Sequence, residues 1–269
     1  LFFTWQNLFK RYPWPFSAFE RTVFAACPEA IAGNREAMGV LRQKGYRGQV
    51  TVIPQFGVDP AYAPAEDSRD RERWGTEDRF AIGYVGRLIP EKGLDDLLTA
   101  AAPLLAGHSE ACLLLVGSGP WRASGEAKAQ ALGIGEKVRF IPWVGSQDMP
   151  SIMRALDVLV LPSRTTPRWK EQFGRVLTEA MASGTVVVGS DSGEIPHVIG
   201  DAGLTFPEGS TAALAEALER LYRDPGLRDA LRRQGLERVR RHFTQEAVAA
   251  ATLEVYRRLL ALTDPSEAG

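Results

Sequence analysis

Two carboxylates frame the most informative stretch of the chain. In WKEQFGRVLTEAM, residues 169–181, Glu171 and Glu179 stand with seven residues between them, in the segment that follows LDVLVLPS, a run that reads as a buried strand. Glu171 falls in a loop beside Trp169 and Lys170, and Glu179 falls in the middle of an otherwise apolar helical pattern. Three chemistries are open to such a pair. Ordinary helix electrostatics would place Glu171 near a positive helix start and Glu179 on a solvated face. Paired acids at a workable separation would serve glycoside hydrolysis. In the third, Gly174 lets the backbone pass close to a ligand and the amides of Arg175 and Val176 face it from a helix start. Glu179, one turn deeper, then accepts two hydrogen bonds from a vicinal diol such as a ribose, and Glu171 orients a second polyol.

A second set of groups favours an anionic ligand. FAIGYVG runs straight into GRLIPEKG, which carries Arg87 and Lys92 around a turn that opens a helix. Two fixed cations beside helix-start amides suit a diphosphate, although composition alone makes both ordinary surface cations. The turn DSGEIPHVIG offers Gly193 for close approach to a ligand and the amides of Glu194 and Ile195 to face it; an ordinary strand-to-helix turn fits equally well.

Other chemistries find no pattern. GxxxxGK[ST] is absent, and VGSGPWR has Gly117 and Gly119 but Arg122 where a dinucleotide fingerprint needs its third glycine. No G-x-S-x-G follows a strand. The three histidines, His108, His197 and His242, are scattered and nothing has metal-ligand spacing, so no metal and no cofactor is expected.

These groups must be positioned by alternating strands and helices. The strands read as FAIGYVG, ACLLLVG, KVRFIP, LDVLVL, TVVVGS and GLTF, separated by EKGLDDLLTAAAPLLAG, WRASGEAKAQALG, DMPSIMRA and GRVLTEAMASG. Strands apolar on both faces with helices between them predict an α/β fold with a doubly wound parallel sheet, whose ligands sit beyond the strands' carboxyl ends. Residues 1 to about 60 form a different block: a strand-like start, the Pro- and aromatic-rich KRYPWPFSAF, a helix, and QVTVIP. PAYAPAEDS reads as the linker. After Gly209 the chain is helical, and the cationic LRRQGLERVRRHF reads as a solvated helix face rather than a membrane-surface patch.

Bulk properties narrow the class. A chain of 269 residues with 45% hydrophobic and 24% charged residues is ordinary for a globular protein, with disorder expected only at DPSEAG. A net charge of −1 gives no field for nucleic acid. The two cysteines, Cys27 and Cys112, suit a reducing compartment. No apolar run approaches a membrane span, and LFFTWQNLF does not read as a signal peptide. A chain that starts in a core strand without an initiator Met is expected to be part of a longer one.

In combination, GRLIPEKG, LLLVGSGP, KVRFIPWVG, DVLVLPS and EQFGRVLTEAMASGTVVVGSDSGEIPHVIGDAGL resemble the group 1, or family 4, glycosyltransferases over roughly residues 48 to 245. The resemblance implies the donor-binding half of a GT-B fold: residues 1–60 as a remnant of the N-terminal, acceptor domain with the hinge, 61–245 as a Rossmann-like donor domain, and 246–269 as a helix crossing back. It implies a UDP-, GDP- or ADP-sugar as donor and transfer to a glycan, lipid or small molecule with retention. It also implies no metal, and a cytoplasmic protein peripheral to the inner membrane face. Arg87 and Lys92 would hold the diphosphate and stabilise the leaving nucleotide, and Glu179 would bind the ribose. Glu171 and the Gly174–Val176 amides would contact sugar and phosphates, with Gly86, Gly193 and Glu194 also at the donor. The base would lie near Pro142, Trp143, Val144 and Gly145.

The chain departs from the family pattern in three places. Gln6 stands where the family has the histidine of T-x-H, which puts any acid-base role there in doubt. PQFGVDP is one residue longer than the usual interdomain turn, and His197 stands where glutamate is common. A donor-binding module without catalysis and a sugar-nucleotide epimerase of the same fold are the alternatives; the E-x7-E frame speaks against the epimerase.

Overall fold

The computed structural model describes residues 1–65 and 69–263, so the DPSEAG tail and the last three residues of the expected linker lie outside the described residues. The chain divides into two compact units, Leu1–Gly57 with Arg240–Gly269, and Val58–Val239.

In the first unit, β1 (Phe2–Thr4), β2 (Glu29–Ala32) and β3 (Gln49–Val52) form a parallel sheet in the order β1-β2-β3, with α1 (Phe16–Ala26) and α2 (Arg35–Gln43) in the connections. Asn34 starts α2 by accepting a hydrogen bond from the Ala37 amide at 2.7 Å, an N-cap. The strand EAIA was not singled out by periodicity, because all four of its residues are buried and one is an acid. Glu29 is accommodated by Arg258 of the terminal helix (Gln245–Thr263) at 2.6 Å and by the Thr51 hydroxyl at 2.8 Å. Val255 of the same helix packs on Ile31 and Ile53. The Gln6 side chain is committed locally: its amide donates to the Leu8 carbonyl at 2.9 Å, and its oxygen accepts from Tyr12 and Lys44, each at 3.2 Å.

The second unit carries β4 (Phe80–Val85), β5 (Ala111–Val116), β6 (Val138–Ile141), β7 (Val158–Leu161), β8 (Val186–Ser190) and β9 (Gly203–Phe206) in one parallel sheet ordered β6-β5-β4-β7-β8-β9. Every residue of β4, β5, β7 and β8 is buried, the pattern of strands covered on both faces. The covering elements are α3 (Asp70–Trp74), α4 (Leu94–Gly107), α5 (Arg122–Ala131), α6 (Met149–Arg154), α7 (Arg175–Ala182), α8 (Ile195–Ile199), α9 (Thr211–Arg223) and α10 (Pro225–His242). Strand order reverses between β4 and β7, and in a doubly wound sheet the crevice for a ligand opens there, beyond the carboxyl ends. β4 and β5 are in register over six pairs, Phe80↔Ala111 through Val85↔Val116, whereas β4 and β7 share two, Ile82↔Val158 and Gly83↔Leu159.

Asp157, at the start of β7, reinforces that short seam. It accepts from the Ala81 amide at 2.9 Å, from Arg71 at 3.1 Å and from Arg232 at 3.0 Å. On α10, Leu231, Gly235 and Val239 are buried, and Arg238 donates to the carbonyls of Val198 and His197 at 2.8 and 2.6 Å. Part of the cationic face is thus tied to the unit's own backbone. No helix among the described residues is long and apolar enough to cross a membrane.

Candidate functional site

Beyond the carboxyl ends of β4 and β7 lies a cavity of about 690 Å³. Val85, Gly86 and Arg87 enter it from the end of β4, and Lys92 from the short 3-10 helix Pro90–Lys92 that precedes α4. From the other side come Leu161 at the end of β7, Glu171, and Gly174, Arg175, Val176 and Glu179 at the start of α7. Tyr62, Trp143, Ser146 and Met149 complete the lining.

The turn after β4 is braced by Tyr84, whose buried hydroxyl donates to the Arg87 carbonyl at 2.7 Å. Burial foremost, with the charge of Glu171, pushes this phenol well above its ordinary value, so it remains a neutral donor. Arg87 is exposed, and no ion pair holds its guanidinium among the described residues. Lys92 is held: its ammonium meets Glu171 Oε2 at 2.6 Å and lies 4.8 Å from the Trp169 ring centroid. The Ser163 hydroxyl donates to the same carboxylate oxygen at 3.0 Å.

Gly174 caps α7 in the left-handed region, φ 77°, where any side chain is strained. No side chain caps this helix, so the Arg175 and Val176 amides have no acceptor within it and stand at the positive end of the helix dipole. Glu179 is 7% exposed, not on a solvated face as helix chemistry alone suggests, and Glu171 is 9% exposed. Arg175 Nε donates to Glu179 Oε1 at 2.7 Å. Desolvation outweighs the pairing with Arg175 and raises the Glu179 carboxyl above the usual range.

That shift has a stability consequence. A carboxyl whose folded pKa lies above its unfolded value keeps its proton in the native chain after the unfolded chain has released it. Stability therefore falls as pH rises from the ordinary glutamate value to the folded one, and stays lower above it. Glu179→Gln removes the term, so its melting temperature should gain on the parent's as pH is raised from about 4 to about 8. A constant difference across that range in thermal melts would refute the assignment.

The cavity gathers Gly86, Arg87, Lys92, Glu171, Gly174, Arg175, Val176, Glu179 and Trp143, the last 60% exposed. Pro142, Val144 and Gly145 fall outside the lining, as do Gly193 and Glu194. At Gly193, φ 57°, a Cβ would stand 2.1 Å from the Glu171 carbonyl oxygen. The Glu194 amide donates to that same carbonyl at 3.4 Å, and the Ile195 amide to Ser192 at 3.2 Å. This turn therefore supports the backbone of Glu171. Tyr62, Ser146 and Met149 had no signal in the sequence; Tyr62 lies in PAYAP, which reads as linker. Among the described residues no group of three or more His, Cys, Asp or Glu is placed to hold a metal.

The family described as Glycosyl transferases group 1 matches residues 66–238. A 2-deoxystreptamine glucosyltransferase of Streptomyces kanamyceticus is 33% identical over 218 residues, 78% of this chain and 55% of that protein. Among solved structures, a sucrose-phosphate synthase from Thermosynechococcus elongatus aligns with a TM-score of 0.74 at 29% identity, covering 92% of this chain and 62% of that one. The Anabaena protein HepE in complex with UDP-glucose shares the fold at a TM-score of 0.73 and 22% identity, over 90% of this chain and 66% of that one. The chain spans about half the length of the curated relatives it matches.

Proposed function

Because the chain belongs to the group 1 glycosyl transferases, we propose that this cavity binds the nucleoside diphosphate and sugar of a nucleotide-sugar donor. The chain then supplies the donor half of a retaining transfer to a glycan, lipid or small-molecule acceptor at the cytoplasmic membrane face. The carrying observation is convergence: three basic side chains, an uncapped helix start and two buried carboxylates meet in one cavity at the sheet's reversal point. Cations and amide dipoles suit a diphosphate, and a buried carboxylate suits a diol.

In this reading Arg87 and Lys92 hold the diphosphate with the Arg175 and Val176 amides. Glu179 takes the ribose hydroxyls, Glu171 the sugar, and Trp143 offers its face to the base. When the bond from the anomeric carbon to the diphosphate breaks, negative charge grows on the departing oxygen. The two cations stabilise it there without a metal. A likeness to a protein solved with UDP-glucose supports the same class of ligand.

Titration calorimetry with UDP, GDP and ADP tests binding separately from turnover. One of the three is expected to bind, with affinity falling at least about ten-fold in Glu179→Ala and in Arg87→Ala, the cost of a lost charge-assisted hydrogen bond. Unchanged binding in both variants would remove the site assignment.

A further inference from the structure

Lys92 is one of the cations that the donor reading places on the diphosphate, and a lysine ammonium is a point charge on a long, flexible stem. Glu171 alone would not fix it, since in that reading the carboxylate also has the sugar to meet. The second partner is Trp169. The ammonium stands 4.8 Å from the centre of its ring, within the range where the negative face of an indole attracts a cation, and the Lys92 side chain is only 13% exposed. At so enclosed a position the attraction is stronger than on an open surface. Trp169 itself is half-buried and falls outside the cavity lining, so its contact is with the cation and not with an occupant.

The loop that carries the ring is braced on both sides. Thr166 and Trp169 pair across a tight turn: the Thr166 amide donates to the Trp169 carbonyl at 2.7 Å and the Trp169 amide to the Thr166 carbonyl at 3.3 Å. One residue earlier, the Thr165 hydroxyl donates to Glu208 at 2.7 Å and shares a hydrogen bond with the Ser192 hydroxyl at 3.0 Å. Arg164 meets both oxygens of Asp96 on α4 at 2.6 Å each, and its amide donates to the Glu91 carbonyl at 2.8 Å. Glu91 directly precedes Lys92, so ring and ammonium hang from backbone segments that are bonded to each other.

We propose that Trp169 is a positioning residue for Lys92, its ring face holding the ammonium where it meets the diphosphate of the donor. The inference rests on the donor-site reading above. One of the ammonium's donors goes to Glu171. A ring face binds the charge without claiming a further donor in a directed hydrogen bond, which leaves donors for a phosphate oxygen. The phosphate then meets a cation already in place, and less side-chain entropy is lost on binding.

The test is titration calorimetry of the 269-residue chain with UDP, GDP and ADP, with Trp169, one of six tryptophans, replaced in turn by mono-, di- and trifluorotryptophan. Fluorine withdraws negative charge from the ring face and leaves its shape nearly unchanged, so melting temperatures should stay close to the parent's. Affinity for the nucleotide that binds should fall stepwise with fluorine number, to about five-fold weaker at the trifluoro ring. Trp169→Leu should lose about ten-fold and Trp169→Phe less, because the phenyl ring keeps part of the face. In Lys92→Met the fluorine series should be flat. If none of the nucleotides binds, or affinity is unchanged in both Arg87→Ala and Glu179→Ala, the donor-site reading falls and takes this inference with it. If those losses hold, and the fluorine series is flat in the parent or equally steep in Lys92→Met, this inference alone is overturned.

Discussion

Gly193→Ala is expected to destabilise the donor unit by about 3 kcal/mol, a fall of roughly 6–12 °C in melting temperature for a domain of this size. Two penalties combine. The backbone at φ 57° is left-handed, costly for any residue with a Cβ, and that Cβ would lie 2.1 Å from the Glu171 carbonyl oxygen. A flexible side chain could yield at that distance, but a carbonyl can move only with its backbone. The retreat of Glu171 would pull its carboxylate from Lys92 and Ser163, so nucleoside diphosphate affinity should fall with stability. A melting temperature within a degree or two of the parent's would show that the turn tolerates a Cβ and that Gly193 does not set the position of Glu171.

Lys92→Met should cost about 3 kcal/mol, since it strips the counter-charge from a carboxylate whose side chain is 12% exposed. Ser163 remains as a donor but carries no charge. The double variant Lys92→Met with Glu171→Gln should recover much of the loss, because it also removes the charge that the Lys92 ammonium neutralises. Denaturant unfolding of the four proteins in the cycle should give a coupling of at least about 1 kcal/mol. Strict additivity would mean that the pair does not interact across the 2.6 Å it spans.

The elements of the second unit were legible because fully covered strands need short apolar runs such as ACLLLV and VLVL, here bounded by turn residues and alternating with longer helical patterns. Arg87, Lys92 and the E-x7-E frame were legible because strand-end turns belong to one edge of such a sheet. EAIA was not, since Glu29 makes sense only with Arg258, distant in sequence, beside it. The role of Gly193 depends on a carbonyl in a different loop. Local pattern names a residue that can bend or donate; it does not name what that residue will meet. The Lys92–Glu171 pair is the same case: both residues stood out, but as separate ligand contacts rather than as partners.

The two-pair seam between β4 and β7 bears on how the unit is assembled. β4, β5 and β6 come from one contiguous stretch and β7, β8 and β9 from the next, so during synthesis the earlier half-sheet can be complete before the later one emerges. The cavity straddles their junction: Gly86, Arg87 and Lys92 belong to the first half, and Leu161, Glu171 and Glu179 to the second. Its geometry exists only once the halves have docked. An occupant in contact with both halves would add its binding free energy to the docking free energy of the strand pairing with the fewest register pairs in the sheet. Occupancy by cargo and completion of folding are in that sense coupled across one short seam.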